Sequence, residues 1–243
     1  MGKVIVVGIG PGDEENMTIR ADRALNSCDV IVGYHVYVDL VRERYPGKEF
    51  LTTPMTRETQ RCQMALDAAR EGRTVAMVCS GDSGIYGMAA LLYELRGENP
   101  EPEIEVVPGL TAACSGAALL GAPLTHDFAV ISLSDRLTPW EKIEERLECA
   151  ARADFSIVLY NPGSHGRPEH LRKACDILLG ILPADRPCAV ARNIGRPGQE
   201  RRFYTLKELR DAQADMFCTV FIGNAMTKRI GDNLVTPRGY RDV

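Results

Sequence analysis

The sequence predicts an α/β protein of two lobes with largely parallel sheets. Three observations carry this expectation. Short Val/Ile-rich runs of strand length alternate with helical patterns along the chain. Those runs are near-continuously apolar rather than alternating, as in sheets covered on both faces. In "LGAPLTHD", residues 120–127, a proline and polar residues interrupt the series, and a second series follows. The expected lobes are residues 1–122 and 123–243.

In the first lobe, strands are expected at 3–9, 29–34, 74–79 and 104–107. Helices are expected at 18–28, 58–71, 84–96 and 109–120. Within 58–71, Met64, Leu66, Ala68 and Ala69 share the segment with charges spaced for one wet face. In the second lobe, strands are expected at 129–133, 156–160, 188–191 and 219–223, with helices at 139–152, 168–181 and 205–214. "TPWEKIEERL" reads as a helix start, with Thr138 as cap, Pro139 in the first turn and Glu141 three residues after the cap.

Composition bounds the function. The 243 residues suffice for a sizeable core, and 45% apolar with 26% charged residues is an ordinary soluble balance. A formal charge of −4 argues against general nucleic-acid affinity. From Arg186 to Val243 there are 11 Lys/Arg against 6 Asp/Glu. That excess is either a surface feature or a seat for an acidic ligand. Eight cysteines lie mostly in helix or strand patterns, with no C-x-x-C pair. They read as small hydrophobes of a reducing, cytoplasmic protein. His35, His126, His165 and His170 lack zinc-site spacing, so no metal is expected. No signal pattern or spanning run is present, so neither secretion nor a membrane partner is expected.

The first strand, "KVIVVGIGPGD", runs into glycines 8, 10 and 12. A dinucleotide fingerprint needs a third glycine that this loop lacks. Pro11 removes one N–H from any phosphate cradle, and Asp13 would set a negative charge beside phosphate. No Gly-Lys-Ser/Thr follows, which excludes a Walker loop. A tight turn without a ligand is the alternative. Similar loops, "CSGDSGIYG" (79–87), "PGLTAA" (108–113) and "LYNPGS" (159–164), follow other strands. Parallel sheets bind ligands at such strand ends, so these loops are expected to gather round one cleft.

These motifs resemble the tetrapyrrole methylases, the S-adenosylmethionine enzymes of cobalamin and sirohaem synthesis. The likeness rests on "VGIGPGD" (7–13), "SGDSGIYG" (80–87), "VPGLTAA" (107–113) and the order of the later strands, and covers essentially the whole chain. Within that family, "VGYHVYVDL" (32–40), "SLSDRLTPWEKIEERL" (132–147), "LYNPGS" (159–164) and "LVTPRGY" (234–240) resemble the branch that methylates C17 of precorrin-3B.

The resemblance implies an active-site cleft between the lobes, S-adenosyl-L-methionine as cofactor and S-adenosyl-L-homocysteine as product. It implies a tetrapyrrole substrate, metal-free or cobalt-containing, methylated at C17 while the ring contracts and expels C20 into an acetyl group. A homodimer is implied as well. Cofactor contacts are implied at Pro11, Gly81, Asp82, Ile85, Tyr86, Thr111 and Ala112. Tyr160 or Asn161, Asn193 or Ile194, and Thr219 or Val220 would add the second-lobe side, many through backbone groups. One departure is Ser83, where many relatives place a proline after the Gly-Asp pair. A positive sulfonium without phosphate suits a loop carrying carboxylates better than a pyrophosphate does.

Ring contraction moves a proton from a hydroxyl and so benefits from a positioned acid or base. Asp13, His35, Ser132 and Ser134 are the catalytic candidates, with Asp135 and His126 beside them. Each has a plainer alternative. Asp13 would start a helix, and His35 would be a packed ring. The serines would be strand-edge hydroxyls, Asp135 a turn cap, and His126 linker surface. Arg192, Arg196, Arg201, Arg202, Lys228, Arg229 and Arg238 are candidates for the substrate's carboxylates. Competing functions are methylation at another ring carbon, a diphthine-synthase or ribosomal-RNA methylase relative, and a nucleotide-binding module. The RNA reading lacks a basic, aromatic-interleaved stripe.

Overall fold

The computed structural model describes residues 2–240. The chain divides into two compact units, Met1–Ala112 and Ala113–Val243. The division falls ten residues before the expected one. Its cause is α5 (Ala112–Leu120), whose Ala113 and Leu120 share a core cluster with Val158, Ala189, Ala191 and Phe221. Gly116 lets the Phe221 ring approach: a Cβ there would lie 2.7 Å from Phe221 Cζ.

The first unit runs β1 (Lys3–Gly8), α1 (Ile19–Ser27), β2 (Val30–Tyr34), α2 (His35–Asp39), β3 (Glu49–Thr53), α3 (Glu58–Arg70), β4 (Thr74–Cys79), α4 (Ala89–Arg96) and β5 (Glu103–Val107). Its sheet has the order β3-β2-β4-β1-β5, every pairing parallel. Alternate side chains of each strand enter separate cores. Val4, Val6, Val32, Val75 and Met77 join residues of α3 and α4. Ile5, Val7, Ile31, Ala76 and Val78 join residues of α1 and α2. Both faces are covered, so the inner strands β1, β2 and β4 are apolar along nearly their whole length. Thr18 caps α1, its Oγ1 accepting the Ala21 N–H at 3.1 Å.

Two elements escaped the sequence patterns: β3, a half-exposed edge strand with no apolar run, and the five-residue α2. α4 starts at Ala89 rather than 84, because Tyr86 takes a left-handed φ of 54° that no helix tolerates.

The second unit continues with β6 (Gly121–Ala122), β7 (Phe128–Ser132), α6 (Trp140–Arg152), β8 (Ser156–Tyr160), α7 (His170–Leu179), β9 (Pro187–Arg192), β10 (Glu200–Thr205), α8 (Leu206–Leu209), β11 (Cys218–Ile222), β12 (Lys228–Ile230) and β13 (Asn233–Val235). Its main sheet, β10-β9-β11-β8-β7, departs from the expectation of largely parallel strands. Only β7–β8 is parallel; the other three pairings are antiparallel. β9 and β10 are joined by a short turn through Gly195 and Gly198, both at positive φ, and a parallel crossover needs a longer connection. The apolar runs misled because they report coverage, not direction, and this sheet is also covered on both faces.

Further differences are local. β10, "ERRFYT", is a polar edge strand that the sequence did not suggest. The helix expected at 205–214 is the single turn α8, closed by a capping box of Thr205 and Glu208. α6 has Pro139 at its cap position with no side-chain cap, so Thr138 does not cap it. Strands β12, β13 and β6 form a small third sheet. Among the described residues, no helix is long and apolar enough to cross a membrane.

Candidate active site

In the first unit, the loops after β1, β4 and β5 are built on one another. A Cβ at Gly8 would stand 2.6 Å from the Gly109 nitrogen and 2.8 Å from the Gly81 oxygen, so the glycines permit loop-on-loop contact. Gly10 N–H donates to Gly81 O at 3.1 Å, and Gly81 N–H returns the bond at 2.7 Å. Ile9 N–H donates to Cys79 O. The Ile9 and Gly10 amides that would open a phosphate cradle are therefore taken by neighbouring carbonyls, and Pro11, buried, has none. The glycine motif is a packing device.

Asp82 locks the same assembly. Its Oδ1 accepts the N–H groups of Gly84 and Ile85 at 2.8 and 2.9 Å, and Oδ2 accepts that of Gly109 at 3.0 Å. Burial by itself would raise its pKa. The backbone donors of Gly109, Ile85 and Gly84 outweigh it and hold the carboxyl below the usual range. Ser83, fully buried, donates its hydroxyl to Val107 O at 2.9 Å. That bond ties the loop after β4 to the end of β5 without a proline ring. Ile85, Tyr86 and Leu110 project as exposed apolar side chains from these loops. Thr111 is buried, and Ala112 is half-buried at the start of α5.

The two first-unit catalytic candidates differ. Asp13 Oδ1 accepts the Asn16 backbone N–H and its side-chain amide, both at 2.7 Å. It forms a turn rather than starting a helix, since α1 begins at Ile19. His35 is exposed at the start of α2, with its ring edge-on to Tyr34 at 4.5 Å, so it is not a packed core histidine.

In the second unit, strand directions bring the carboxyl ends of β7, β8 and β9 and the amino end of β11 to one sheet edge. Ser132 pairs with Tyr160, and Cys218 with Arg192. Asn161 and Asn193 follow β8 and β9 directly, both left-handed (φ 54° and 49°), a conformation asparagine tolerates. Ile194, half-buried, packs with the cluster around Phe221. Asn161 Nδ2 donates to Ser132 Oγ at 2.9 Å, and the Ser134 N–H donates to the same oxygen at 3.2 Å. The Tyr160 hydroxyl accepts the Ala113 N–H at 2.6 Å. Thr219 and Val220 lie inside the sheet and are buried, Val220 with its side chain in the core.

Next to this edge stands a cluster that sequence reading found only in part. Ser134 Oγ accepts from Arg167 Nη1 at 2.6 Å. Asp135 Oδ2 lies 3.1 Å from His170 Nε2, outside hydrogen-bond alignment, and Oδ1 lies 3.4 Å from Arg167 Nη1. His170, then Arg167, hold Asp135 below the usual carboxylate range. His170 is buried, edge-on to Trp140 at 5.0 Å. No spacing signals Arg167 or His170; the one available hint was a basic residue in a loop closing on a strand end. His126 is not plain linker surface: its Nε2 lies 2.9 Å from Pro237 O.

The basic C-terminal portion is largely spent internally. Arg192 gives Nε and Nη2 to Asp215, and Arg202 gives the same pair to Glu200. These four residues help line a cavity of about 300 Å³ in which the charges balance. Arg201 donates to Leu119 O, Arg229 stacks on Phe203 at 3.8 Å, and Arg196 lies 6.0 Å over the Phe217 ring. Lys228 and Arg238 are exposed. Among the described residues, no group of three His, Cys, Asp or Glu side chains is placed to hold a metal.

A family model described as Tetrapyrrole (Corrin/Porphyrin) Methylases matches residues 3–210. A Salmonella typhimurium protein named probable cobalt-factor III C(17)-methyltransferase is 44% identical, over 97% of this chain and 98% of its own length. A Priestia megaterium cobalt-factor III methyltransferase is 43% identical over 99% of this chain, which spans 45% of that longer protein. The solved structure of the methyltransferase CobJ matches with a TM-score of 0.90 at 41% identity, over 98% of this chain and 100% of that one. A Thermus thermophilus uroporphyrin-III C-methyl transferase, solved with S-adenosyl homocysteine, matches with a TM-score of 0.71 at 26% identity, over 91% of this chain and 97% of that one. With its doubly covered parallel sheet and its interlocked glycine loops, the chain belongs to the tetrapyrrole methylases.

Proposed function

We propose that this protein transfers a methyl group from S-adenosylmethionine to C17 of cobalt-factor III or of its metal-free counterpart precorrin-3B, with contraction of the ring, in cobalamin biosynthesis. The observation that carries the reading is 44% identity along nearly the full length of both chains to a protein named probable cobalt-factor III C(17)-methyltransferase.

The residues fit the cofactor. The first-unit loops leave no phosphate cradle, and they carry carboxylates and exposed apolar side chains, which suit a cation with a flat, uncharged base. Pro11, Gly81, Asp82, Ile85, Tyr86, Thr111 and Ala112 would hold it in the first unit, and Tyr160, Asn161, Asn193, Ile194, Thr219 and Val220 in the second, the last through its backbone only. When bound, the cofactor supplies an electrophilic methyl on a positive sulfur. The chain's own residues orient this group, exclude water and keep the loops from moving as charge is cancelled. For the proton of the contraction step, His35 suits best. Among the described residues its ring has no hydrogen-bond partner, whereas Asp13, Ser132 and Ser134 are engaged. Histidine is the side chain most often used to move a proton in catalysis. The proposal includes a cytoplasmic homodimer that acts on a small molecule, with no nucleic-acid or membrane partner.

Two measurements test it. Calorimetry with S-adenosylhomocysteine and with NAD should show binding of the first alone; NAD binding would favour the nucleotide module. Turnover of His35→Gln should give a methylated product whose ring contracts at least about tenfold more slowly than in wild type. Unchanged contraction would remove His35 from the mechanism.

A further inference from the structure

We infer that Arg167 binds a peripheral carboxylate of the tetrapyrrole, an inference that rests on the substrate reading above. A reduced tetrapyrrole of this pathway is a largely apolar ring edged with acetate and propionate groups, and its recognition calls for a fixed cationic fork. Three second-unit arginines are already committed to carboxylates. Arg192, Arg202 and Arg210 each place Nε and Nη2 on one carboxylate, of Asp215, Glu200 and Asp176 respectively. A second carboxylate would have to displace the first.

Arg167 is arranged differently. Hydroxyls hold it: Nη1 donates to Ser134 Oγ at 2.6 Å, and Nε to Ser164 Oγ at 3.3 Å. Asp135 adds only a long 3.4 Å contact, and its other oxygen faces His170. The backbone of Arg167 is pinned to Ser164 in both directions, at 2.9 and 3.3 Å. Nη2 has no partner among the described residues, and the side chain is 22% exposed. The guanidinium is thus held chiefly by hydroxyls, with the Asp135 carboxylate at one edge and one nitrogen still to donate.

Its place fits a substrate contact. The chain of bonds Asn161–Ser132–Ser134–Arg167 runs from the end of β8 across the end of β7 to Arg167 Nη1, on the same guanidinium as the free Nη2. Asn161 is a residue the reading above assigns to the cofactor. A carboxylate on Nη2 would orient the ring relative to that edge.

The test is equilibrium binding, followed by absorbance, of cobalt-factor III and of its methyl-esterified form to wild type, Arg167→Gln and Arg167→Lys. S-adenosylhomocysteine affinity is measured alongside. Arg167→Gln should weaken the free acid about 10- to 100-fold, as loss of a charge-assisted bond does. It should leave the ester and S-adenosylhomocysteine within about twofold. Arg167→Lys keeps the charge without the fork and should fall between; it carries the comparison if the glutamine variant does not fold. Equal binding of the acid by wild type and variants overturns the inference, as does equal weakening of acid and ester, which would mark a mere loop clamp. A wild-type chain that binds neither form fails the substrate reading itself.

Discussion

Gly109 is one of the residues on which the first-unit loops are closely built. A methyl group there would collide with the Gly81 carbonyl and the Gly8 backbone, neither of which is the free end of a side chain. Gly109→Ala should therefore destabilise the protein by about 3 kcal/mol, the upper end of what overpacking costs, or weaken cofactor binding through a shifted loop. Thermal unfolding and S-adenosylhomocysteine titration check this together. Ser83→Ala removes the bond to Val107 O from a fully buried position, and a loss of about 1–2 kcal/mol is expected in urea unfolding. Asp82 gives a pH signature. Its folded pKa is depressed, so its contribution is present above the unfolded value of about 3.9 and is lost as pH falls through the folded one. Asp82→Asn should be less stable than wild type at neutral pH, and the difference should shrink below about pH 4. A pH-independent difference would contradict the ionised role.

At the scale of elements, coverage by helices was legible and strand direction was not. β1, β4, β8 and β11 showed as unbroken apolar runs because each is buried on both sides. The same property made the second sheet look parallel, for a run of buried residues is identical in either direction. β3 and β10 left no pattern because edge strands spend half their residues on solvent. The cysteines follow the same logic. Cys28, Cys62, Cys79, Cys175, Cys188 and Cys218 are buried in strands, helices or their ends, and burial pushes the Cys79 and Cys218 thiols up to about 11. Only Cys114 and Cys149 are exposed. Native protein should thus alkylate rapidly at these two and at the others only on unfolding, a result that peptide mass mapping reads directly.

Across the whole molecule, the glycine motifs located the first-unit loops, but their meaning emerged only from packing. The sequence showed that "GIGPGD" fails as a phosphate cradle; the bonds from Gly10 and Ile9 to Gly81 and Cys79 show what the loop does instead. Arg167 and His170 stayed hidden because side-chain contacts between distant loops assign their roles, and no local spacing encodes those contacts. The basic C-terminal excess named candidates without regard to their partners, since charge counting cannot see that Asp215 and Glu200 already engage Arg192 and Arg202. The central claim is methylation at C17 with ring contraction, and one measurement addresses it most directly. Purified protein is given S-adenosylmethionine labelled with ¹³C in the methyl group, together with cobalt-factor III or precorrin-3B, and the product is examined by mass spectrometry and NMR. The account predicts one labelled methyl on C17 of a contracted ring from at least one of the two substrates. A label on another ring carbon, or no turnover of either substrate by protein that binds S-adenosylhomocysteine, would contradict it.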